Sequence, residues 1–268
     1  MFGFRVFMCG LWVVFGLFVS TGALQAQGKQ QEEDILAYEF EEQAELADFF
    51  HPGVVDLCGQ LYPVGSLQID DGSLLMTNHS VSGISLISLY PNTVAEIFPE
   101  GSKDYRVRAL VNLETISELL IYVRGRVGVF GGVNPELDAS LERGYACVVY
   151  PQGVDGEFFD GTIAIAEFTG CHQLVPHREW PNSAPGYARA DPGFPIFPEQ
   201  WYWVEVEAQG DDNGGPVQIS MKIWEEDEDP PEEPQLQVVD SNGLSHNRQT
   251  LDEATNVEFV IGASFGQV

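Results

Sequence analysis

The clearest pattern along the chain is a period of two between Trp201 and Trp224. Tyr202, Val204 and Val206 alternate with Trp201, Trp203, Glu205 and Glu207. Further on, Val217, Ile219, Met221 and Ile223 alternate with Gln218, Ser220, Lys222 and Trp224. Successive side chains of a strand point to opposite faces, so each run predicts a half-buried strand. Between the runs, Gly210 to Pro216 (G-D-D-N-G-G-P) supplies the glycines and breakers of a connecting loop. An antiparallel pair is expected here.

The same period recurs upstream. Leu67 to Ile69 and Leu74 to Met76 flank Asp70-Asp71-Gly72-Ser73, a tight-turn signature. Ser80 to Leu89 reads as extended, and Asp104 to Asn112 sets Tyr105, Val107, Ala109 and Val111 against Arg106 and Arg108. Leu119 to Arg126 places Tyr122, Arg124 and Arg126 on one face; Gly144 to Tyr150 and Gly161 to Phe168 are two further strands. Ile35 to Phe40 is expected as a first strand, after a loose stretch from residue 27 to residue 34. Residues 172–198 contain Pro176, Pro181, Pro185, Pro192, Pro195 and Pro198, which predicts a long irregular excursion. The best helical segment, Glu41 to Phe50, suffices for a short turn only. With no fixed repeat and no linker, residues 35–268 are expected to form one all-β domain, an antiparallel β-sandwich of the jelly-roll type.

Met1 to Ala26 has the form of a signal peptide: Arg5 in the n-region, an apolar run from Val6 to Val19, and small residues before Gln27. The apolar run is short for a membrane span. Export is therefore expected, to the extracellular space or cell surface, with the periplasm also open, and without membrane insertion once the signal is cleaved. Charge sharpens this. The chain has 41 Asp and Glu against 12 Lys and Arg, a formal net charge of -29. Such a surface repels phosphate backbones and anionic lipid, which argues against nucleic acid as a partner. Export permits disulfides. Cys147 lies mid-strand in Y-A-C-V-V-Y and reads as a buried core residue, which leaves Cys58 and Cys171, both beside glycines, as the expected pair. Zinc-type cysteine spacing is absent.

Several motifs then gain meaning from their order: D-D-G-S-L (Asp70 to Leu74), D-Y-R-V-R-A (Asp104 to Ala109), I-Y-V-R-G-R (Ile121 to Arg126), R-G-Y-A-C-V-V (Arg143 to Val149), and W-Y-W-V-E-V-E-A-Q-G followed by K-I-W, an acidic loop and V-V-D. Together they resemble the concanavalin A-like lectin/glucanase superfamily, in particular its LamG-like and bacterial members of unknown function, over about Tyr38 to Gly266. That resemblance implies a glycan or polysaccharide partner and leaves room for a structural calcium. It departs at the end: residues 257–268 carry no F-D-N-like closing run. Either closure is unusual or the chain belongs to a longer protein with other domains.

Candidate chemistry is sparse. G-x-S-x-G, H-E-x-x-H and P-loop motifs are absent. The histidines His51, His79, His172, His177 and His246 are scattered in loops, where solvent exposure is the simpler reading even for His172 and His177. The superfamily's glucanases carry an E-x-D-x-x-E strand motif, which Glu136 to Glu142 approaches with one spacing too long and in a loop context. Glu205 and Glu207 share a strand face about 7 Å apart, close to a glycosidase carboxylate separation, although alternating acids are also the ordinary solvent side of a sandwich. Tyr122, Arg124 and Arg126 form a candidate sugar platform, joined by Tyr145 and by Trp203 or Trp180, in which guanidinium groups grip hydroxyls and rings stack on pyranose faces. The alternative is that these arginines pair with surface acids. Asp211, Asp212 and Asn213 are the calcium candidates by composition, although the full calcium-loop spacing is missing. Seven of the nine residues from Glu225 to Glu233 are acidic, which with the flanking prolines reads as a self-repelling hairpin tip.

The function expected on these grounds is an exported, non-catalytic carbohydrate-binding or adhesion module. The enzyme-class alternative is a polysaccharide hydrolase or lyase using Glu205 and Glu207 or a loop acid, and a structural cell-surface module is the third. A convergent, available carboxylate pair favours the enzyme; an aromatic–arginine surface without one favours binding.

Overall fold

The computed structural model describes residues 11–20, 39, 44–45, 49–50, 54–56, 61–62, 66–70, 73–77, 83–89, 105–113, 117–127, 141–153, 160–169, 173–174, 180, 187–210, 216–241 and 259–265. Strands dominate. In chain order they are β1 (Leu11–Ser20), β2 (Phe49–Phe50), β3 (Val54–Asp56), β4 (Leu61–Tyr62), β5 (Ser66–Asp70), β6 (Ser73–Thr77) and β7 (Gly83–Leu89). The longer central strands follow: β8 (Tyr105–Asn112), β9 (Ser117–Val127), β10 (Leu141–Val149) and β11 (Ile163–Thr169). The last are β12 (Gln173–Leu174), β13 (Tyr187–Ala190), β14 (Trp201–Gly210), β15 (Val217–Glu225), β16 (Leu236–Asp240) and β17 (Phe259–Phe265). No helix among the described residues is long and apolar enough to cross a membrane.

Two antiparallel sheets result. One runs β16-β15-β14-β8-β1-β6-β5, and the other β12-β11-β10-β9-β17-β7-β3-β4, with β13 also on β11 and β2 on β7. The period-two residues explain why they stack. Val107, Ala109 and Val111, with Val204, Val206, Ile219, Met221 and Val238, turn inward from the first sheet. They join Leu119, Ile121, Val123, Cys147, Val149, Ile163 and Ile165 of the second in one core. Each fully buried aliphatic side chain of this kind contributes about 1.5–3 kcal/mol, so this shared layer is what holds the sandwich together. The all-β, antiparallel sandwich expected from the sequence is the fold observed.

The predicted hairpins are in register. Asp70 pairs with Ser73 at the D-D-G-S turn, and Tyr202 through Gly210 pairs with Glu225 back to Val217. Gly210 is required at the end of β14: its φ is 127°, and a Cβ there would drive into the carbonyl oxygen of Pro216 and lie 3.1 Å from Val217 Cα. Cys147 is buried as expected, and burial pushes its thiol pKa up.

Three segments differ from the sequence expectation. The proline-rich excursion contains β13, a four-residue strand pairing with β11 (Ile163↔Ala190 to Ala166↔Tyr187). Tyr187-Ala188-Arg189-Ala190 carries no proline of its own, so it can pair at an edge between Pro185 and Pro192. The end of that excursion is held by Tyr202, whose hydroxyl accepts from the Phe197 N–H at 2.9 Å and donates to Gln200 Oε1 at 2.7 Å. At the other end of the chain, where no strand was expected, β17 lies inside the second sheet between β9 and β7. Finally, Leu11–Ser20, within the expected signal peptide, occupies a slot between β8 and β6. Its apolar composition suits a sheet interior as well as a signal sequence. The expected first strand at residues 35–40 lies outside the described residues except for Glu39, which is exposed. Of the short-turn candidate, Ala44 and Glu45 form a 3-10 turn, and Phe49–Phe50 is strand.

Candidate functional site

The face of the first sheet that points away from the core is built from the polar half of the alternation. Register fixes the neighbours: Glu205 lies opposite Arg108 on β8 and Lys222 on β15, and Glu207 opposite Arg106 and Ser220. Trp203 lies opposite Leu110 and Trp224. Cross-strand partners stand about 4.5–5.5 Å apart, so these side chains must interact.

They do so as an ion-pair ladder beside an aromatic stack. Arg108 grips one carboxylate oxygen of Glu205 with both Nε, at 2.9 Å, and a terminal nitrogen, at 2.5 Å. Arg106 reaches across, with Nε 3.7 Å from Glu205 Oε1 and a terminal nitrogen 3.4 Å from Glu207 Oε1. Gln209 Nε2 donates to Glu207 Oε1 at 2.9 Å. Next to the ladder, the Trp203 and Trp224 rings stack with centroids 6.3 Å apart and planes 19° from parallel. The Arg108 guanidinium sits 5.6 Å from the Trp224 ring centroid. Trp224 is buried, whereas Trp203 and Trp201 are half-buried.

Glu205 therefore does not sit on an ordinary solvent side. It is only 5 % exposed. The alternation gives the face a side chain is on, but not what its neighbours do; two arginines engage this carboxylate, one of them lying beside the Trp224 ring. The acidic run after β15 is an exposed connection, as its charge predicts, yet it is anchored at its base. Lys222 Nζ donates to the carbonyls of Pro231 at 2.9 Å and Glu232 at 3.1 Å. Gln235 completes the anchor, exchanging hydrogen bonds of 3.0 and 2.6 Å with the backbone of Ile223.

Of the residues expected in a sugar platform, Trp203 stands on this face. Tyr145 does not: it is fully buried, donates its hydroxyl to Asp240 Oδ2 at 2.6 Å and lies 6.5 Å from the Trp180 ring. Trp180 is likewise in the core, with Nε1 donating to the Val239 carbonyl at 3.1 Å. Strand β10 carries Tyr145 on its inward parity with Cys147 and Val149, so neither ring has a face to offer a ligand in this fold. Tyr122, Arg124 and Arg126 have their backbone in β9, while their side chains lie outside the described residues. The same holds for the calcium candidates Asp211, Asp212 and Asn213, for Cys58 and Cys171, for the five histidines and for Glu136. No group of three or more potential metal ligands occurs among the described residues.

Sequence reasoning missed a second aromatic–arginine cluster. The Arg189 guanidinium is held between Tyr150, at 4.9 Å, and Tyr187, at 4.8 Å. One of its terminal nitrogens lies 3.1 Å from Asp160 Oδ2, and Thr162 donates to the other oxygen of that carboxylate at 2.5 Å. The signal was the Y-x-R alternation of Tyr187 and Arg189, hidden inside the proline-rich stretch. This cluster clamps the edge strand β13 to the end of β10. Burial, with the Glu118 charge adding to it and Arg189 opposing, pushes the Tyr150 hydroxyl pKa up to about 12. A native state that keeps a proton the unfolded chain gives up loses stability as pH rises. Stability from this group is thus intact below pH ~10, the ordinary tyrosine value, and lost between there and ~12. Tyr150→Phe is expected to make the decline in urea midpoint over that window shallower, while lowering the midpoint near pH 8 through loss of the hydroxyl's hydrogen bond with Arg189.

No family model and no curated protein matches the chain. Among solved structures, it is similar to the exoplasmic/lumenal domain of VIP36 in its Ca2+/Man3GlcNAc-bound form, with 14% identity, coverage of 82% of this chain and 77% of that one, and a TM-score of 0.37. It is also similar to the marine PL-14 alginate lyase from Aplysia kurodai, with 10% identity, coverage of 75% and 78%, and a TM-score of 0.29. Both overlaps are loose, and neither bears on what this chain binds.

Proposed function

We propose that this chain is an exported, non-catalytic carbohydrate-binding or adhesion module of the concanavalin A-like jelly-roll class, which takes its ligand on the outward face of the first sheet. The observation that carries this reading is Trp203, half-buried and held against Trp224 beside a row of arginine, glutamate and glutamine side chains. An oriented ring next to planar donors and acceptors is the chemistry that sugar recognition uses: apolar C–H faces stack and hydroxyls bridge. The carboxylates favour binding over catalysis. Glu205 and Glu207 are both engaged by arginines, so neither is available as an acid or a nucleophile in this arrangement.

Trp203→Ala is expected to weaken retardation of the protein in polysaccharide-containing native gels by about tenfold in affinity, roughly 1.4 kcal/mol. Unchanged retardation would remove this face from the reading. With Glu205 and Glu207 engaged by arginines, the hydrolase or lyase alternative falls to a loop acid, and release of reducing ends or unsaturated products from a polysaccharide panel would establish it. The structural calcium rests on the composition of Asp211, Asp212 and Asn213 alone; a melting temperature indifferent to added calcium would dispose of it.

Export implies that the secreted protein begins at Gln27 and so lacks β1. Backbone groups at the centre of a sheet do not stay unpaired. The amides of β8 in the secreted chain are thus expected to remain protected from hydrogen exchange, through re-pairing of that slot. Fast exchange at alternate amides of β8, with the intervening ones still protected by β14, would show the slot left open.

A further inference from the structure

We infer that Glu205 and Glu207 are built-in counter-ions that set this face against acidic polysaccharides, so that its ligand is a neutral glycan. The inference rests on the binding-module reading and adds a ligand class to it. Arginine beside tryptophan is ordinarily the arrangement that would clamp a uronate or sulfate group, because the guanidinium fork matches an oxyanion. Here the fork of Arg108 is already closed on Glu205, a carboxylate that is only 5 % exposed. Arg106 is shared between Glu205 and Glu207. The third cation of the face, Lys222, is engaged by the carbonyls of Pro231 and Glu232.

A uronate carboxylate approaching this face would have to expel Glu205 or Glu207 from its arginine. It would exchange one ion pair for another and leave a protein carboxylate unpaired in a poorly hydrated site. It would also approach a chain of net charge -29, whose field disfavours a polyanion most at low salt. Neither obstacle applies to a neutral sugar. Its hydroxyls can accept from guanidinium N–H groups and donate to carboxylate oxygens without displacing any pair, while a ring face rests on Trp203. The two glutamates thus act as specificity determinants by repulsion as much as by contact.

Affinity electrophoresis tests this with neutral polysaccharides (a β-glucan, a xylan, a galactomannan) run against polyuronates (alginate, polygalacturonate), each in low salt and in 0.5 M sodium chloride as about the useful screening limit. The expected result is retardation by at least one neutral polymer and, for the polyuronates, affinity weaker by about tenfold or more at both salt concentrations. The double variant Glu205→Gln/Glu207→Gln keeps the side-chain shapes and releases both arginines, and is expected to gain polyuronate affinity by about tenfold. Circular dichroism checks that it is folded. Glu207→Gln alone, at a side chain 26% exposed, provides a milder variant that should shift in the same direction. Wild-type protein that binds polyuronates as tightly as neutral polymers, or a folded double variant with no gain, overturns the counter-ion role and leaves the binding-module reading standing. Retardation by neither class of polymer overturns both.

Discussion

Tyr145→Ala is expected to cost the domain about 4 kcal/mol, a large part of the total stability of a typical single domain. The ring is fully buried among the inward side chains of both sheets. Truncation removes its transfer free energy and leaves a cavity that two stacked sheets cannot collapse to fill. It also takes a hydroxyl donor at 2.6 Å from Asp240, a residue 2 % exposed. Tyr145→Phe separates the two effects: the ring stays, the donor goes, and the expected loss falls to about 1.5 kcal/mol. Urea unfolding with an unchanged m-value measures both. Because the ring offers no surface to a ligand, Tyr145→Phe is also expected to leave polysaccharide affinity at its wild-type value. A weakened affinity with an otherwise intact fold would return Tyr145 to the site.

That residue marks the boundary of what the sequence makes legible. Period-two alternation gives the strands and their inward faces, because burial of Val204, Val206, Ile219 and Met221 is a local consequence of pleat geometry. Turn chemistry gives the hairpin at Asp70–Ser73 for the same reason. What alternation does not give is whether both faces of a strand are covered. Tyr145 shares a face with Cys147 by pleat geometry alone, so the buried reading of Cys147 already implied an inward ring; what was not legible is that every residue from Gly144 to Val149 is buried, leaving neither face of β10 open. The ladder at Glu205 was half legible. The glutamates and the arginines of β8 were each visible as outward residues, but their meeting depends on β14 pairing with β8 across a sequence separation of 97 residues. Nothing local encodes that separation. The Tyr150–Arg189–Tyr187 cluster was obscured in another way: the prolines around Tyr187 dominate the reading of the segment, although a proline-flanked run of four residues can still pair at an edge.

The ladder itself gives the second large effect. Glu205→Ala is expected to lower stability by about 2 kcal/mol. Two limits bracket that figure. Removing one partner from a fully buried ion pair costs about 3–5 kcal/mol, since the other charge is stranded, whereas an exposed pair contributes less than about 1. Here the carboxylate side chain is 6% exposed, and the arginines are 24% and 32% exposed. The stranded guanidinium groups therefore recover part of their hydration, and the cost falls between the limits. A single substitution cannot isolate the pair, because Arg108 also covers the Trp224 ring and its loss removes packing as well as charge. A double-mutant cycle with Glu205→Ala and Arg108→Ala cancels that contribution and is expected to give a coupling energy of about 1 kcal/mol. This coupling should survive 0.5 M salt largely intact, whereas the Arg189–Asp160 pair, with side chains 31% and 40% exposed, should lose most of its own by about that concentration. Strict additivity of the two substitutions would mean that this ion pair adds nothing to the backbone ladder and inward packing that join β8 and β14. The arginines would then be available to an incoming ligand, and an acidic polysaccharide would become the better candidate for this face.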